Sequence, residues 1–164
     1  MRAVVCFGVL LAFFAVNHPA FAQGTLKTGL QSLPGALPAI SQRHADFSWD
    51  FELSREKYYV AVPKSKTGTQ PYGVFVFISP SDECTSVPQG WESVLREKRL
   101  IFIAPQNAGN SQPISRRMGL AVLAASKLPE MVKIDTNRVY VAGFSGGARM
   151  ASHVSFLCPS LFSG

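Results

Sequence analysis

One short stretch of the chain combines a hydroxyl nucleophile with glycines on both sides. Residues 143–147 read Gly-Phe-Ser-Gly-Gly and fit the G-x-S-x-G pattern, in which a serine stands at a sharp turn from a strand into a helix. Such a turn exposes the hydroxyl of Ser145 and leaves the N–H of Gly146 at a helix N-terminus, where negative charge is favoured. An exposed nucleophile beside an oxyanion donor is what acyl transfer requires. A glycine-rich turn without chemistry is the alternative.

The segments on either side of this motif must position the serine. Val139 to Ala142 form a short apolar run that is typical of a strand buried on both faces. From Ala148 onward the spacing is helical, and the apolar residues of one helix face are Met150, Val154 and Leu157. A Cβ atom at Gly143 or Gly147 would obstruct the close approach of strand and helix, so the turn requires glycine at both positions.

Two further strands and two helices are predicted before the motif. Continuous apolar runs predict buried strands over 73–79 and 100–104. Helical spacing predicts a short helix over 90–99 and a longer one over 113–129, with Pro113 in its first turn. The inward residues of the short helix are predicted to be Trp91, Val94 and Leu95.

The N-terminal part of the sheet is predicted to be antiparallel. Residues 47–53 alternate apolar and polar, and residues 57–62 form a second strand-like run that ends at Pro63, so the two predict a hairpin at the sheet edge. The later strands alternate with helices, which is typical of a parallel sheet covered on both faces. The predicted fold is therefore α/β, with three layers and a mostly parallel sheet that begins with an antiparallel hairpin.

The first 22 residues have the features of a secretory signal peptide. They contain a basic residue, an apolar run and the cleavage-site pattern Ala20-Phe-Ala22, and an uncleaved membrane anchor is the alternative. We expect a mature chain that begins at Gln23 and is secreted or periplasmic. Residues 23–44 are predicted to be a linker or N-terminal arm, and residues 45–164 to belong to one globular domain.

Composition argues against several other classes of protein. The 164-residue chain has a formal net charge of +6, but its basic residues occur in small groups without interleaved aromatics, so nucleic-acid binding is disfavoured. We expect no cofactor, no metal and no membrane association after signal cleavage, because neither a metal-ligand cluster nor a phosphate-binding glycine loop is present in the sequence. Cys84 and Cys158 are predicted to lie far apart in the fold, which disfavours a disulfide between them.

Three segments carry a family resemblance: the strand at 73–79 with its polar loop, the strand at 100–104, and the run from Ile134 to Ala148. Together they resemble the N-terminal half of an α/β-hydrolase. Within that fold the chain is most similar to secreted serine esterases of the polyhydroxybutyrate depolymerase and feruloyl esterase type. The resemblance covers residues 45–164, and it implies the N-terminal portion of a hydrolase domain that acts on small-molecule or polymeric esters.

The resemblance also implies roles for individual residues. Ser145 would be the nucleophile and the N–H of Gly146 one oxyanion donor, with the second donor in the loop after the 73–79 strand. Many relatives have His-Gly in that loop, where this chain has Ser79-Pro80. Because proline has no N–H, Ser81 is the candidate donor by position, and a solvated loop is the alternative.

A serine nucleophile also needs a base and an acid, which follow it along the chain in this fold. Residues 146–164 contain no Asp or Glu, and their one histidine, His153, would lie about 12 Å from Ser145 along the helix axis. His44 is a weaker candidate for the base. If the chain stopped at Gly164, the far edge of the motif strand would be unpaired, and an unpaired apolar edge invites aggregation. The tail 159–164 is predicted to approach another strand. We therefore expect a longer hydrolase truncated before its acid and base, and inactive in this form. The alternatives are a non-catalytic relic or a binding module of the same fold.

Overall fold

A computed structural model describes residues 26–33, 52–64 and 70–164 of the chain. A short 3-10 helix at Leu53–Arg55 precedes the second strand. The strands and α-helices, in chain order, are β1 Gly29–Gln31, β2 Tyr58–Ala61, β3 Tyr72–Ile78, α1 Glu92–Glu97, β4 Leu100–Pro105, α2 Ile114–Met131, β5 Ile134–Gly143 and α3 Gly146–Leu157.

The described strands form one sheet in the order β1-β2-β4-β3-β5. Strands β3, β4 and β5 are parallel to one another, whereas β1 and β2 are antiparallel to their neighbours. Ile78 at the end of β3 pairs with Gly143 at the end of β5. The carboxyl ends of the two strands therefore lie side by side, and the loops that follow them meet at one edge of the sheet. This confirms the predicted α/β class, with antiparallel strands in the N-terminal part of the sheet.

The sheet is buried because both of its faces are apolar. Every residue of β4 is buried, which explains its continuous hydrophobic run. One face packs against α2 and α3, whose buried residues include Leu123 and Met150. The other face is an aromatic layer in which Phe77 and Phe102 pack with Leu95 of α1. Helices thus cover both faces of the sheet and form the predicted three layers.

The helices differ from prediction in which side chains they bury. In α1 only Leu95 is buried, while Trp91 and Val94 are 38% and 53% exposed. The ring of Trp91 packs edge-on against Phe75, so it covers the sheet without being enclosed. In α3 Leu157 is exposed as well, because the helix ends there and the chain turns. The prediction that Val94 faces inward is therefore wrong, whereas the ring of Trp91 faces the sheet as predicted.

The antiparallel pair is built from a different segment than predicted. Strand β2 pairs with β1, and β1 lies within the predicted linker or arm of residues 23–44. Leu33, in the same segment, is 2% exposed and belongs to the core, so this part of the segment is docked on the domain. Of the predicted first hairpin strand, residues 47–51 lie outside the described residues and Leu53 is in a 3-10 helix.

The predicted signal peptide also lies outside the described residues. Within the described parts of the chain, no helix is long and apolar enough to cross a membrane.

The C-terminal tail adds backbone pairing to the free edge of β5. The N–H of Ser163 donates to the carbonyl of Val139 at 2.7 Å, and the N–H of Val141 donates to the carbonyl of Gly164 at 2.8 Å. Phe162 beside them is buried. The prediction that the tail approaches another strand position is confirmed. The expectation that the far edge of the motif strand is wholly unpaired within this chain is wrong.

Candidate active site

The serine of the motif stands between β5 and α3 in a strained backbone conformation. Strand β5 ends at Gly143 and helix α3 begins at Gly146, so only Phe144 and Ser145 form the turn. Ser145 has φ 52° and ψ −122°, a region that non-glycine residues rarely adopt and that costs about 1–3 kcal/mol. The side chain is exposed. Strain at an exposed serine is the geometry of a nucleophile elbow.

The flanking glycines allow the backbones to meet. A Cβ atom on Gly147 would overlap the carbonyl oxygen of Ile78 and lie 2.8 Å from its carbonyl carbon. A Cβ atom on Gly143 would lie 2.5 Å from the carbonyl oxygen of Gly147 and 2.8 Å from the amide nitrogen of Ala148. The obstructing atoms are backbone atoms that cannot rotate away, so both positions require glycine, as predicted.

Gly146 supplies the donor at the start of α3. As the first residue of the helix, its N–H has no carbonyl of a preceding helical turn to bond, and it faces the side on which anions are favoured. A Cβ atom on Gly146 would overlap the side-chain oxygen of Asn110 and lie 3.1 Å from its amide nitrogen, Nδ2. The carboxamide of Asn110 therefore lies directly against this backbone position.

The loops after β3 and β4 are tied together beside the serine. The N–H of Asn110 donates to the carbonyl of Pro80 at 2.8 Å, and the N–H of Asn107 donates to the carbonyl of Asp82 at 2.7 Å. The carboxylate of Asp82 accepts the N–H of Gly109 at 2.9 Å. This backbone hydrogen bond is the main reason why the pKa of Asp82 lies below its usual value. The first loop thus fixes the position of the second.

A buried arginine lies beneath both loops. Arg117 of α2 is 2% exposed, and its Nε donates to the carbonyl of Ala108 at 2.7 Å. Its Nη2 donates to the side-chain oxygen of Asn110 at 3.1 Å and approaches the carbonyl of Ser79 at 3.4 Å. Desolvation lowers the pKa of Arg117, and the charge of Arg149 lowers it further, while Asp82 acts in the opposite direction.

These residues line one polar pocket of about 430 Å³, formed by Asn110, Arg117, Ser145, Gly146 and Arg149. The Ser145 hydroxyl, the backbone at the start of α3, a carboxamide and two guanidinium groups thus share one space. Both charged groups are cationic, so the pocket favours a substrate or transition state that gains negative charge.

Ser81, the predicted second oxyanion donor, is already engaged. Its N–H donates to the hydroxyl oxygen of Ser79 at 3.0 Å. The structure thus brings Ser145, Gly146 and both flanking glycines together, but the N–H of Ser81 would first have to leave its present partner. Sequence reasoning missed Asn110, Arg117 and Asp82. The sequence did offer one indication for Asn110, which is its position in the loop after the carboxyl end of a predicted strand.

The histidines and cysteines lie away from this pocket or outside the described residues. His153 is exposed on α3, which is unbroken from Gly146 to Leu157, so it lies about two helical turns from Ser145. His44 lies outside the described residues. Cys84 and Cys158 are both free thiols, and burial raises the pKa of each. In the described part of the chain, His, Cys, Asp and Glu side chains form no group of three suited to a metal ion.

Solved structures share this architecture. No model of a known protein family matches the chain, and neither does any curated protein. The structure described as the complex of pOPH_S172C with DMSO matches with a TM-score of 0.53 and 16% identity, over 86% of this chain and 49% of that one. Dipeptidyl peptidase 4 of Porphyromonas gingivalis matches with a TM-score of 0.50 and 15% identity, over 65% of this chain and 18% of that one.

A thermostable esterase matches with a TM-score of 0.49 and 19% identity, over 65% of this chain. The present chain spans only 35% of the length of that esterase. The strand order, the serine turn and the two structures with TM-scores of 0.53 and 0.50 agree that the chain has the N-terminal part of the α/β-hydrolase fold.

Proposed function

We propose that the full-length protein is an exported serine hydrolase that cleaves carboxylic esters, small or polymeric, through an acyl-enzyme on Ser145. The observation that supports this most directly is the backbone of Ser145, which is held at φ 52°. Gly143 and Gly147, on either side of it, are explained by close backbone contacts that leave no room for a Cβ atom. A turn without chemistry has no reason to keep a strained residue other than glycine. The proposal needs no cofactor.

In this mechanism a base removes the proton from the Ser145 hydroxyl while the oxygen attacks the ester carbonyl carbon. The carbonyl oxygen becomes an oxyanion and accepts the N–H of Gly146. Collapse of the intermediate breaks the bond to the alcohol, which leaves with the proton from the base. Water then hydrolyses the acyl-enzyme and releases the carboxylic acid product. We propose that the base and its acid lie outside the described residues, because His153, the one described histidine, cannot reach Ser145 from an intact α3.

The test is covalent labelling and turnover in the full-length protein. A fluorophosphonate probe should label the wild type, and Ser145→Ala should abolish both labelling and hydrolysis of a p-nitrophenyl ester. Ser152→Ala is the matched control, since Ser152 is an exposed serine of the same helix whose hydroxyl bonds only locally to the carbonyl of Ala148. Turnover that survives in Ser145→Ala would overturn the proposal.

A binding module of the same fold is the second candidate. The engagement of the Ser81 N–H favours it, because a ligand site does not need a second oxyanion donor. In that case the folded full-length protein should bind esters or acids without reacting with the probe. The intact turn at Ser145 argues for the hydrolase.

A further inference from the structure

The backbone after β3 offers little to a developing oxyanion. Pro80 has no N–H, and the N–H of Ser81 is bonded to the hydroxyl of Ser79 at 3.0 Å. Oxyanion stabilisation in acyl transfer normally uses two donors, and loss of one lowers the rate about 10²–10³-fold. A second donor would therefore be expected from another group that faces the same pocket.

Asn110, one of the described residues that line the pocket, can supply this donor. Its carboxamide lies against Gly146: the oxygen is the nearest atom to the position that a Cβ atom on Gly146 would occupy, and Nδ2 lies 3.1 Å from that position. It lines the same pocket as Ser145. A carboxamide nitrogen carries two N–H donors, so it can replace a backbone N–H at an oxyanion.

The orientation of the carboxamide is set by Arg117. The side-chain oxygen of Asn110 accepts Nη2 of Arg117 at 3.1 Å, a hydrogen bond that is strengthened by the charge of the guanidinium. Because the oxygen is held toward the buried arginine, the NH₂ group is directed away from it. The backbone of Asn110 is fixed as well, since its N–H donates to the carbonyl of Pro80 at 2.8 Å.

We propose that the side-chain amide of Asn110 is the second oxyanion donor, in place of a backbone N–H from the loop after β3, and that Arg117 is its positioning residue. This inference rests on the proposed function. During attack by Ser145, the negative charge on the former carbonyl oxygen is shared between the N–H of Gly146 and Nδ2–H of Asn110. The positive charge of Arg117 polarises the carboxamide and so strengthens the donor.

The test compares Asn110→Asp with Asn107→Asp in the full-length enzyme. Both variants make the same substitution in one loop, and Asn107 is an exposed residue with φ 51°, a conformation that Asp also tolerates. Rates are expressed per active site, titrated by the burst of alcohol release. We expect kcat to fall about 10²–10³-fold in Asn110→Asp, with KM nearly unchanged, and to stay within about threefold in Asn107→Asp.

A tetrahedral inhibitor separates catalysis from structure. A trifluoromethyl ketone forms an oxyanion on Ser145, so its Ki should rise in Asn110→Asp and in Asn110→Ala by about the factor that kcat/KM falls. A purely structural role would lower the titrated fraction of sites and leave the Ki of the remaining sites unchanged, and that result would overturn the proposal.

The two proposals fail differently. Suppose that Ser145→Ala abolishes turnover, whereas Asn110→Asp keeps it within threefold of the wild type. That result would support the serine mechanism and refute the role of Asn110. A folded wild type that shows neither labelling nor turnover would refute both.

Discussion

Substitution of Gly147 by alanine has two opposite effects on stability, one from helix propensity and one from packing. Gly147 is the second residue of α3, and in an exposed helix interior alanine is more stable than glycine by about 1 kcal/mol. The structure predicts the opposite sign. The new Cβ atom would overlap the carbonyl oxygen of Ile78, lie 2.8 Å from its carbonyl carbon, and lie 3.3 Å from the carbonyl carbon of Ser79.

The magnitude follows from which atoms must move. Carbon atoms in contact are normally about 3.5–4.0 Å apart, so α3 and the end of β3 must separate by about 1 Å. Strand β3 cannot yield easily, because β4 and β5 pair with it on both sides. Overpacking of side chains costs about 1–3 kcal/mol, and this backbone contact belongs at the upper limit or above it. After the gain in propensity, we expect a net loss of at least about 2 kcal/mol.

Urea unfolding of the full-length protein measures this loss. With a slope of about 2 kcal/mol per molar urea, the midpoint of Gly147→Ala should lie about 1 M below that of the wild type. Ser152→Ala, in the same helix, adds no atom and should change the free energy of unfolding by less than about 0.5 kcal/mol. A Gly147→Ala protein as stable as the wild type, or more stable, would refute the close contact with β3.

Three further predictions concern the strain of the turn, a loop carboxylate and a buried ion pair. Ser145→Gly should raise the free energy of unfolding by about 1 kcal/mol, because glycine adopts positive φ freely. Ser145→Ala should not raise it. Equal unfolding midpoints for the two variants in urea would contradict this prediction. The pKa of Asp82 is lowered chiefly by the N–H of Gly109, so its stabilising effect is present at neutral pH and is lost as pH falls through the depressed folded-state value. The wild type should therefore lose stability below about pH 4 more steeply than Asp82→Asn, and parallel thermal unfolding profiles would disprove it. Arg116→Met leaves the carboxylate of Glu56, which is 6% exposed, without its bidentate partner and should cost about 3 kcal/mol, part of which Glu56→Gln should restore in a double-mutant cycle.

The core of the fold was predictable because its strands are buried on both faces. Strands β3 and β4 and the second half of β5, residues 139–142, appear in the sequence as apolar runs, which a sheet covered on both faces buries. Strand β1 was missed because it has only three residues, Gly29–Gln31, without an apolar run. It forms because β2 offers a free edge, and that depends on the tertiary structure rather than on local sequence.

The same distinction explains what was found and what was missed at the site. The turn at Ser145 is largely local, since its glycines are required by contacts within six consecutive residues and with the adjacent strand. The environment of Asn110 is non-local. Its backbone N–H is held by Pro80 and its carboxamide by Arg117, which come from two different elements, and its neighbour Gly146 comes from a third. Residue spacing along the chain carries no information about a contact between residues of such distant elements.

The burial of Arg117 lowers the stability of the fold but provides a positive charge beside Ser145. An arginine remains charged when it is buried, so the desolvation that lowers its pKa is a cost the folded state must carry. In the described residues its hydrogen bonds go to three uncharged oxygens, those of Ser79, Ala108 and Asn110, and no carboxylate lies within ion-pair distance. Neutral acceptors offset part of the desolvation, and the charge of Asp82 acts on the guanidinium without forming an ion pair with it. A carboxylate paired directly with Arg117 would stabilise the fold more, but it would cancel the field at Ser145 that an oxyanion requires. The choice of neutral partners is therefore best explained by the chemistry proposed for the pocket.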